Sequence, residues 1–291
     1  MSSRNPRNMT SKRALPLVFT IVLLMTFSSF AQEVYIANEP KMSLQLLNLN
    51  TTPSQLTTLY QNSAKLDDLI VNAAGQLLYS IPSLGQVDLY DPLTGQNSVL
   101  VSGVNTARDL TIEPGGQTML IAIYSPGAIV RFNFATGTTT FLAKKLKTCD
   151  GIAYDPYGNL YAVANHNTIV QINPVTGAIL NTLVLEPHQG INGGDGMTYD
   201  TYSNSLWVTH DGKTGGGLLQ IPVSAAGLGS TFSFYPTPNI VAPDGIKSDG
   251  KGNLYIGAIW TLEIFNIPTL TVTRNVVVKG ADGVSLVPGT Y

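Results

Sequence analysis

Cysteine is nearly missing from this chain: Cys149 is the only one in 291 residues. No disulfide can close within the molecule, so the fold must hold by packing and hydrogen bonding. Cys149 opens an apolar stretch, "CDGIAY", a setting that favours an inert, buried thiol. Charge is also scarce, at 12% of residues, with 16 basic against 18 acidic side chains. No Lys/Arg stripe runs through the sequence, which argues against a nucleic-acid partner. The densest basic spot, "KKLK" at 144–147, reads as a solvated strand edge that resists pairing with other strands. No serine sits in a G-x-S-x-G elbow, so a Ser-His-Asp hydrolase of that type is excluded. Gly212, Lys213 and Thr214 spell part of a phosphate loop, but Trp207 stands where its first glycine belongs and no helix follows, so nucleotide binding is excluded there.

The chain is instead rich in turns. It carries 28 Gly and 17 Pro with 44% hydrophobic residues, the composition of an ordered globular protein. The first 31 residues stand apart. Arg4, Arg7, Lys12 and Arg13 precede the apolar run "ALPLVFTIVLLMTF", and Ser29 and Ala31 supply small residues for cleavage after Ala31. This is the pattern of a secretory signal peptide, with Met9 an alternative start. A retained anchor is the competing reading, but the run is short for a span. Cleavage leaves 12 basic against 18 acidic residues, a net charge of −6, on a secreted or periplasmic chain with no remaining membrane segment.

Residues 32–291 repeat. "DDLIVNAAGQLLYS", "RDLTIEPGGQTMLIA", "DGIAYDPYGNLYAVA", "DGMTYDTYSNSLWVT" and "DGIKSDGKGNLYIGA" align, and the chain ends on "ADGVSLVPGTY". The aligned Asp falls at 68, 109, 150, 195, 244 and 282, at intervals of 41, 41, 45, 49 and 38. Within each unit, alternating apolar residues and Gly/Pro turns mark four short strands. Four-stranded units at this period predict an all-β, six-bladed β-propeller in one domain. The last unit holds only a first strand, "GVSLV". "EVYIANEP" and "SLQLLNLN" at the mature N-terminus match the strands it lacks. The termini are thus expected to close the ring as one composite blade, which leaves no open sheet edge between first and last units.

The frame resembles the SMP-30/gluconolactonase/LRE-like group and its NHL-type relatives. The resemblance is carried by "PDGI" at 243–246, "CDGIAYDPYGNLYAVAN" at 149–165 and "DGKGNLYIG" at 249–257. It spans the mature chain and bears on fold more than activity. It implies a divalent cation at one mouth of the ring, held by a Glu, an Asn and the Asp of the "PDG" segment, which also handles protons. Asp244 matches that Asp. Asp195 stands where the group has Asn, and Asp282 stands where a Glu would be expected. With Asp150, these four carboxylates form the candidate metal set, an oxygen-rich site suited to Ca²⁺ or Mg²⁺.

Strand direction sorts the remaining candidates. The "DPYGN" and "NPVTG" turns fall on one face, and the Asp starts, the second-to-third-strand loops and the inter-blade links fall on the other. His166, His188 and His210 all fall on this second face. So do Glu39, Tyr124, Asp211 and Trp260, the candidate substrate or partner face. The repeated Asp has two readings. Carboxylates roughly 7 Å apart on such a ring repel by about 2.4 kcal/mol per pair at an effective dielectric of about 20. They must therefore accept backbone N–H groups or hold a cation. A feature shared by six blades serves the blade, whereas residues that break the repeat are better functional candidates. Three functions follow. The first is a metal-assisted hydrolase of a lactone or small ester, with Asp244, His166 and His210 as catalytic candidates. The second is a monomeric, non-catalytic propeller that presents the same face to a ligand or protein, and the third a lyase or cyclase acting on a small natural product.

Overall fold

The computed structural model describes residues 32–185, 191–212, 216–237 and 239–291. The segment read as a signal peptide lies outside them, as does His188. The described chain forms β1 (Glu33–Asn38), β2 (Ser43–Asn48) and β3 (Gln55–Gln61). The next unit is β4 (Leu69–Val71), β5 (Leu77–Ile81), β6 (Gln86–Asp91) and β7 (Gln96–Ser102), and it is followed by β8 (Ala107–Ile112), β9 (Thr118–Ile123), β10 (Ala128–Asn133) and β11 (Thr138–Lys144). Then come β12 (Cys149–Tyr154), β13 (Leu160–Ala164), β14 (Thr168–Ile172) and β15 (Ile179–Val184). A longer unit holds β16 (Ile191–Asp200), β17 (Ser205–Gly212), β18 (Gly216–Ser224), β19 (Gly227–Leu228) and β20 (Ser233–Thr237). The last strands are β21 (Pro243–Ser248), β22 (Asn253–Ala258), β23 (Thr261–Asn266), β24 (Thr271–Val277) and β25 (Ala281–Leu286).

These strands pair as six antiparallel sheets, the blades of a six-bladed β-propeller. Blade 1 is the composite, in the order β25-β1-β2-β3, and blades 2 to 6 follow along the chain. The closure matches expectation: Val34 pairs with Leu286, Ile36 with Val284 and Ala37 with Gly283. Blade 5 departs from the plain repeat. The long stretch after β18 first makes the short β18–β19 hairpin, and β20 then supplies the outer strand by pairing with β18.

Burial follows position in the blade. The middle strands β13 and β22 are buried along their whole length, because both faces of a blade pack against neighbouring blades. The outer strand β11 begins with four exposed residues. The core therefore lies between blades: Tyr161 and Val163 of blade 4 meet Met197, Leu206 and Val208 of blade 5. Cys149 is fully buried, as its apolar context predicts. At the turn face, Asp155 accepts the N–H groups of Tyr157 and Asn159 and the Tyr161 hydroxyl. Asp249 accepts the N–H groups of Lys251 and Asn253 in the same way, so these carboxylates build turns.

The inner strands are joined in two ways. In blades 2 and 3 the repeated Asp is followed by Leu, and its carboxylate reaches the next blade. Asp68 Oδ2 accepts Leu110 N–H at 3.1 Å, and Asp109 Oδ2 accepts Ile152 N–H at 2.7 Å. In the other four blades the Asp is followed by Gly, and the backbones themselves close up. A Cβ on Gly151 would lie 2.4 Å from the Asp195 carbonyl oxygen, and one on Gly196 2.4 Å from that of Asp244. On Gly245 and Gly283 it would lie 2.3 Å and 2.5 Å from the carbonyl oxygens of Asp282 and Asp67. Each of the six joints uses one device or the other.

Candidate active site at the mouth of the ring

The difference between the joints determines which carboxylates remain for chemistry. Asp68 and Asp109 are committed to backbone N–H groups. Lys247 lies between them, its Nζ 3.7 Å from an oxygen of each. Burial opposes the Lys247 charge, but the two carboxyls outweigh it and hold the ammonium above its ordinary pKa. Asp109 is itself pushed upward, by burial and then by Asp68, with Lys247 acting against the shift. Asp150, Asp195, Asp244 and Asp282 carry no such backbone latch. They line the centre of the ring with Gly151, Gly196, Gly245 and Gly283.

Arg108 reaches over this group. Its guanidinium donates to Asp67 in an ion pair. Burial disfavours its charge, but Asp67, Asp150 and Asp244 more than restore it. The guanidinium also lies over the Tyr124 ring, 5.2 Å from its centroid. Arg108 divides the mouth into two compartments. One, of about 220 Å³, is lined by Arg108, Tyr124, Asp150, His166, Asp195 and Asp211 with two glycines. The other, of about 550 Å³, is more apolar: Pro40, Ala242, Ala258, Ile259 and Trp260 line it alongside Glu39, Asp244, Lys279 and Asp282.

The structure therefore brings together most of the candidates chosen from sequence. His166 Nε2 lies 3.4 Å from the Tyr124 hydroxyl, with the rings edge to face. Its backbone has a left-handed φ of 60°, which turns the loop at the rim. Trp260 is 53% exposed beside Ile259, and Lys279 lies 5.8 Å from its ring centroid. Glu39 pairs with Lys65 at 2.9 Å on the far rim. His210 is placed differently. It is 2% exposed, its Nδ1–H donates to the Gly193 carbonyl at 2.7 Å, and its ring packs on Phe234. It lines neither compartment. A histidine so engaged shapes the wall of blade 5 and sits behind the mouth, not on the rim where the sequence placed this catalytic candidate.

The acid–base character of the mouth follows from burial and crowding. Asp150 is pushed up to about 7, first by burial and then by Asp195, with Arg108 opposing. Asp195 is raised by burial and then Asp211, with Arg108, His166 and His210 opposing. Asp244 is held well above the usual carboxylate range by burial and then by Asp282, with which it shares a hydrogen bond. Asp282 rises to about 6, through burial, although the bond to Asp244 opposes the shift. Asp244 and Asp282 thus lie close enough that each alters the other's hold on a proton.

The cation expected from sequence finds no ready-made ligand set here. Among the described residues no three His, Cys, Asp or Glu side chains are grouped to hold a metal ion. The protein's own cations pair elsewhere on the ring, Arg108 with Asp67 and Lys247 with Asp68 and Asp109, while Asp150, Asp195, Asp244 and Asp282 have no salt-bridge partner among the described residues. The residues that sequence reasoning missed are these same two cations and Asp67. A signal for them was present. Arg108 stands before the repeated Asp, where the other units have Asp67, Cys149, Gly194, Pro243 and Ala281. Lys247 stands three residues after it, where the other Asp-Gly units have Ala153, Thr198 and Ser285.

Fold and mouth together define a six-bladed propeller with a charged, two-part cavity at one end of its axis. No protein-family model matches the sequence, and no curated protein matches it. Solved structures do share the architecture. A chain from a nidogen/laminin complex superposes with a TM-score of 0.70 at 14% identity, covering 87% of this chain and 97% of its own. A gluconolactonase from Xanthomonas campestris gives 0.65 at 14% identity over 86% of each chain. Virginiamycin B lyase from Staphylococcus aureus gives 0.62 at 17% identity, covering 86% of this chain and 84% of its own. At such identities the likeness is one of fold.

Proposed function

We propose that the mouth is the active site of an exported small-molecule enzyme, and that its reaction is hydrolysis of a lactone or small ester by acid–base chemistry. One observation carries this reading: Asp150, poised at about 7, shares a cavity with Arg108, His166 and Tyr124. In its ionised form Asp150 takes a proton from a water as that water attacks the carbonyl carbon. The C=O electron pair moves to oxygen, and the fixed guanidinium of Arg108 stabilises the oxyanion. The tetrahedral adduct then expels the ring or ester oxygen, which takes the proton back from Asp150 and leaves as an alcohol. Product and water balance: a lactone becomes a hydroxy acid. The Trp260 compartment, on the other side of Arg108, receives the apolar part of the substrate. The gluconolactonase among the structural neighbours makes lactones the first compounds to try.

The test is a panel of lactones and aryl esters assayed with mature protein, with and without chelator. Hydrolysis should survive chelation, and Asp150→Asn should lower kcat by about 10²–10⁴-fold with the fold intact. Asp155→Asn, at a turn far from the mouth, should keep its rate. Activity lost to chelator would return the reaction to a metal. No turnover of any compound would favour the binding-scaffold reading, for which the half-exposed Trp260 and Ile259 are the supporting observation.

A further inference from the structure

A second cavity, of about 490 Å³, opens at the mouth-side end of blade 3, apart from the two mouth compartments. It lies within the size range of small-ligand pockets. Its walls are apolar: Val104 from the link out of blade 2, Ile123 at the end of β9, Ala128 and Val130 on β10, and Phe141 on β11. Its charged residues are Lys144 and Lys145, and no carboxylate lines it. We infer that this cavity binds an amphipathic anion, an apolar body with a single carboxylate, sulfonate or phosphate head.

Two observations support a built site over a chance groove. Phe141 follows three exposed threonines on the outer strand, yet it is 60% exposed, and the Lys144 ammonium lies 3.9 Å from its ring centroid. Aromatic ring and cation are thus presented together, one for the body and one for the head of a ligand. Neither Lys144 nor Lys145 has a salt-bridge partner among the described residues, although acidic residues outnumber basic ones in the chain. The backbone of the link sets the position of Lys145: its left-handed φ of 67° and the Leu146 N–H bond to the Gly127 carbonyl at 3.0 Å repeat Gly103 and the Val104–Gly85 bond of blade 2, with lysine in place of glycine. This geometry fixes the lysine at the lip of the cavity, across from the Ser125–Gly127 loop.

The probe is decanoate, titrated calorimetrically into the mature protein, with decanol as its uncharged counterpart. Decanoate should bind saturably at one site per chain, at least 10-fold more tightly than decanol. The Lys144→Gln/Lys145→Gln double variant should weaken decanoate at least 10-fold, leave decanol unchanged, and remove the dependence of affinity on salt. Phe141→Ala should weaken both compounds. Both lysines are exposed, so the double variant should melt with the parent protein, and a matching melting temperature is required before its affinity is read. Asp150→Asn should bind decanoate as the parent does. Absence of saturable binding overturns the inference. So does binding that ignores the lysine substitutions, or binding lost in Asp150→Asn, which would place the ligand in the mouth.

Discussion

A single carboxylate in this ring has one of two fates, and the residue after it tells which. Asp68 and Asp109 precede Leu and are spent on backbone N–H groups of the next blade. Asp150, Asp195, Asp244 and Asp282 precede Gly and stay in the axial space, where burial and mutual repulsion raise their pKa values. That has a measurable consequence for stability. A carboxyl whose folded pKa lies above its unfolded value keeps a proton in the native state that the unfolded chain releases. The stability linked to that proton is fully present below the unfolded pKa near 4 and is lost as pH rises through the folded value. For Asp282 and Asp150 that loss runs up to about 6 and about 7. Urea unfolding should therefore show stability falling from pH 5 to pH 8. Asp150→Asn, permanently neutral, should flatten that slope. Glu113 works in the opposite sense but in another window. Burial pushes it up, yet Arg131, Thr118 and Tyr154 more than offset this, so its contribution is lost only at more acidic pH. Lys247 gives a second test at this scale. Lys247→Met leaves Asp68 and Asp109 facing each other without their cation. The loss should be about 3–5 kcal/mol, the range for breaking a buried ion pair from one side. Adding Asp109→Asn should recover part of it.

At the level of the strand, the Asp-Gly repeat is a device for bringing inner strands together. The recurrence and its spacing are plain in the sequence, and they suffice to predict blades, strand order and turn faces. The Leu after two of the six Asp residues and the Gly after the other four are plain in the sequence as well, but what that difference decides was not legible. Their alignment makes them look equivalent, and only the approach of neighbouring backbones shows why Gly follows four of them. The cations were obscured for a related reason. A lone Arg or Lys inside a strand reads as a solvent-facing residue until ring geometry turns it toward the axis. His210 erred the other way. Its place in the sequence suggested a rim loop, but β17 runs on to Gly212, and the histidine is buried within the strand. The joint predicts its own mutants. Gly196→Ala puts a methyl group 2.4 Å from the Asp244 carbonyl oxygen, a backbone atom that cannot turn aside. Overpacking of this kind costs about 1–3 kcal/mol, read as an earlier urea midpoint. Asp109→Asn keeps an oxygen for the Ile152 N–H and should cost less, about 1 kcal/mol. Equal losses from the two would mean that the two kinds of joint are not distinct.

For the molecule as a whole, stability depends on closing the circle. β25 completes blade 1 as its inner strand, and its residues also serve both neighbouring joints. Gly283 packs against the Asp67 carbonyl of blade 2, and the Asp282 carbonyl packs against Gly245 of blade 6. Val284 and Leu286 share a core with Val34, Ile36, Tyr255 and Ile264. Burying two such side chains is worth about 1.5–3 kcal/mol each, against a total stability of about 5–15 kcal/mol for a typical domain. Deleting residues 281–291 removes that burial, both joints and the ladder that protects β1. The expected outcome is loss of the cooperative thermal transition and of soluble protein, since an open ring presents the free edge of β1 to other chains. Composition alone would not predict this, because the deleted piece is short and ends in an exposed turn. A permutant separates topology from mere chain loss. Gln32 N–H already bonds the Thr290 carbonyl at 3.1 Å, so the chain entering β1 lies beside the turn that follows β25. Moving residues 281–291 in front of Gln32 through a short glycine link turns β25 and β1 into an ordinary hairpin with the same register. That permutant should melt cooperatively, close to the parent protein, while the deletion should not. A deletion variant that melted like the parent would show that β25 is dispensable. A permutant that failed to fold, beside a parent that folds, would show that closure by strands from opposite ends of the chain is itself required.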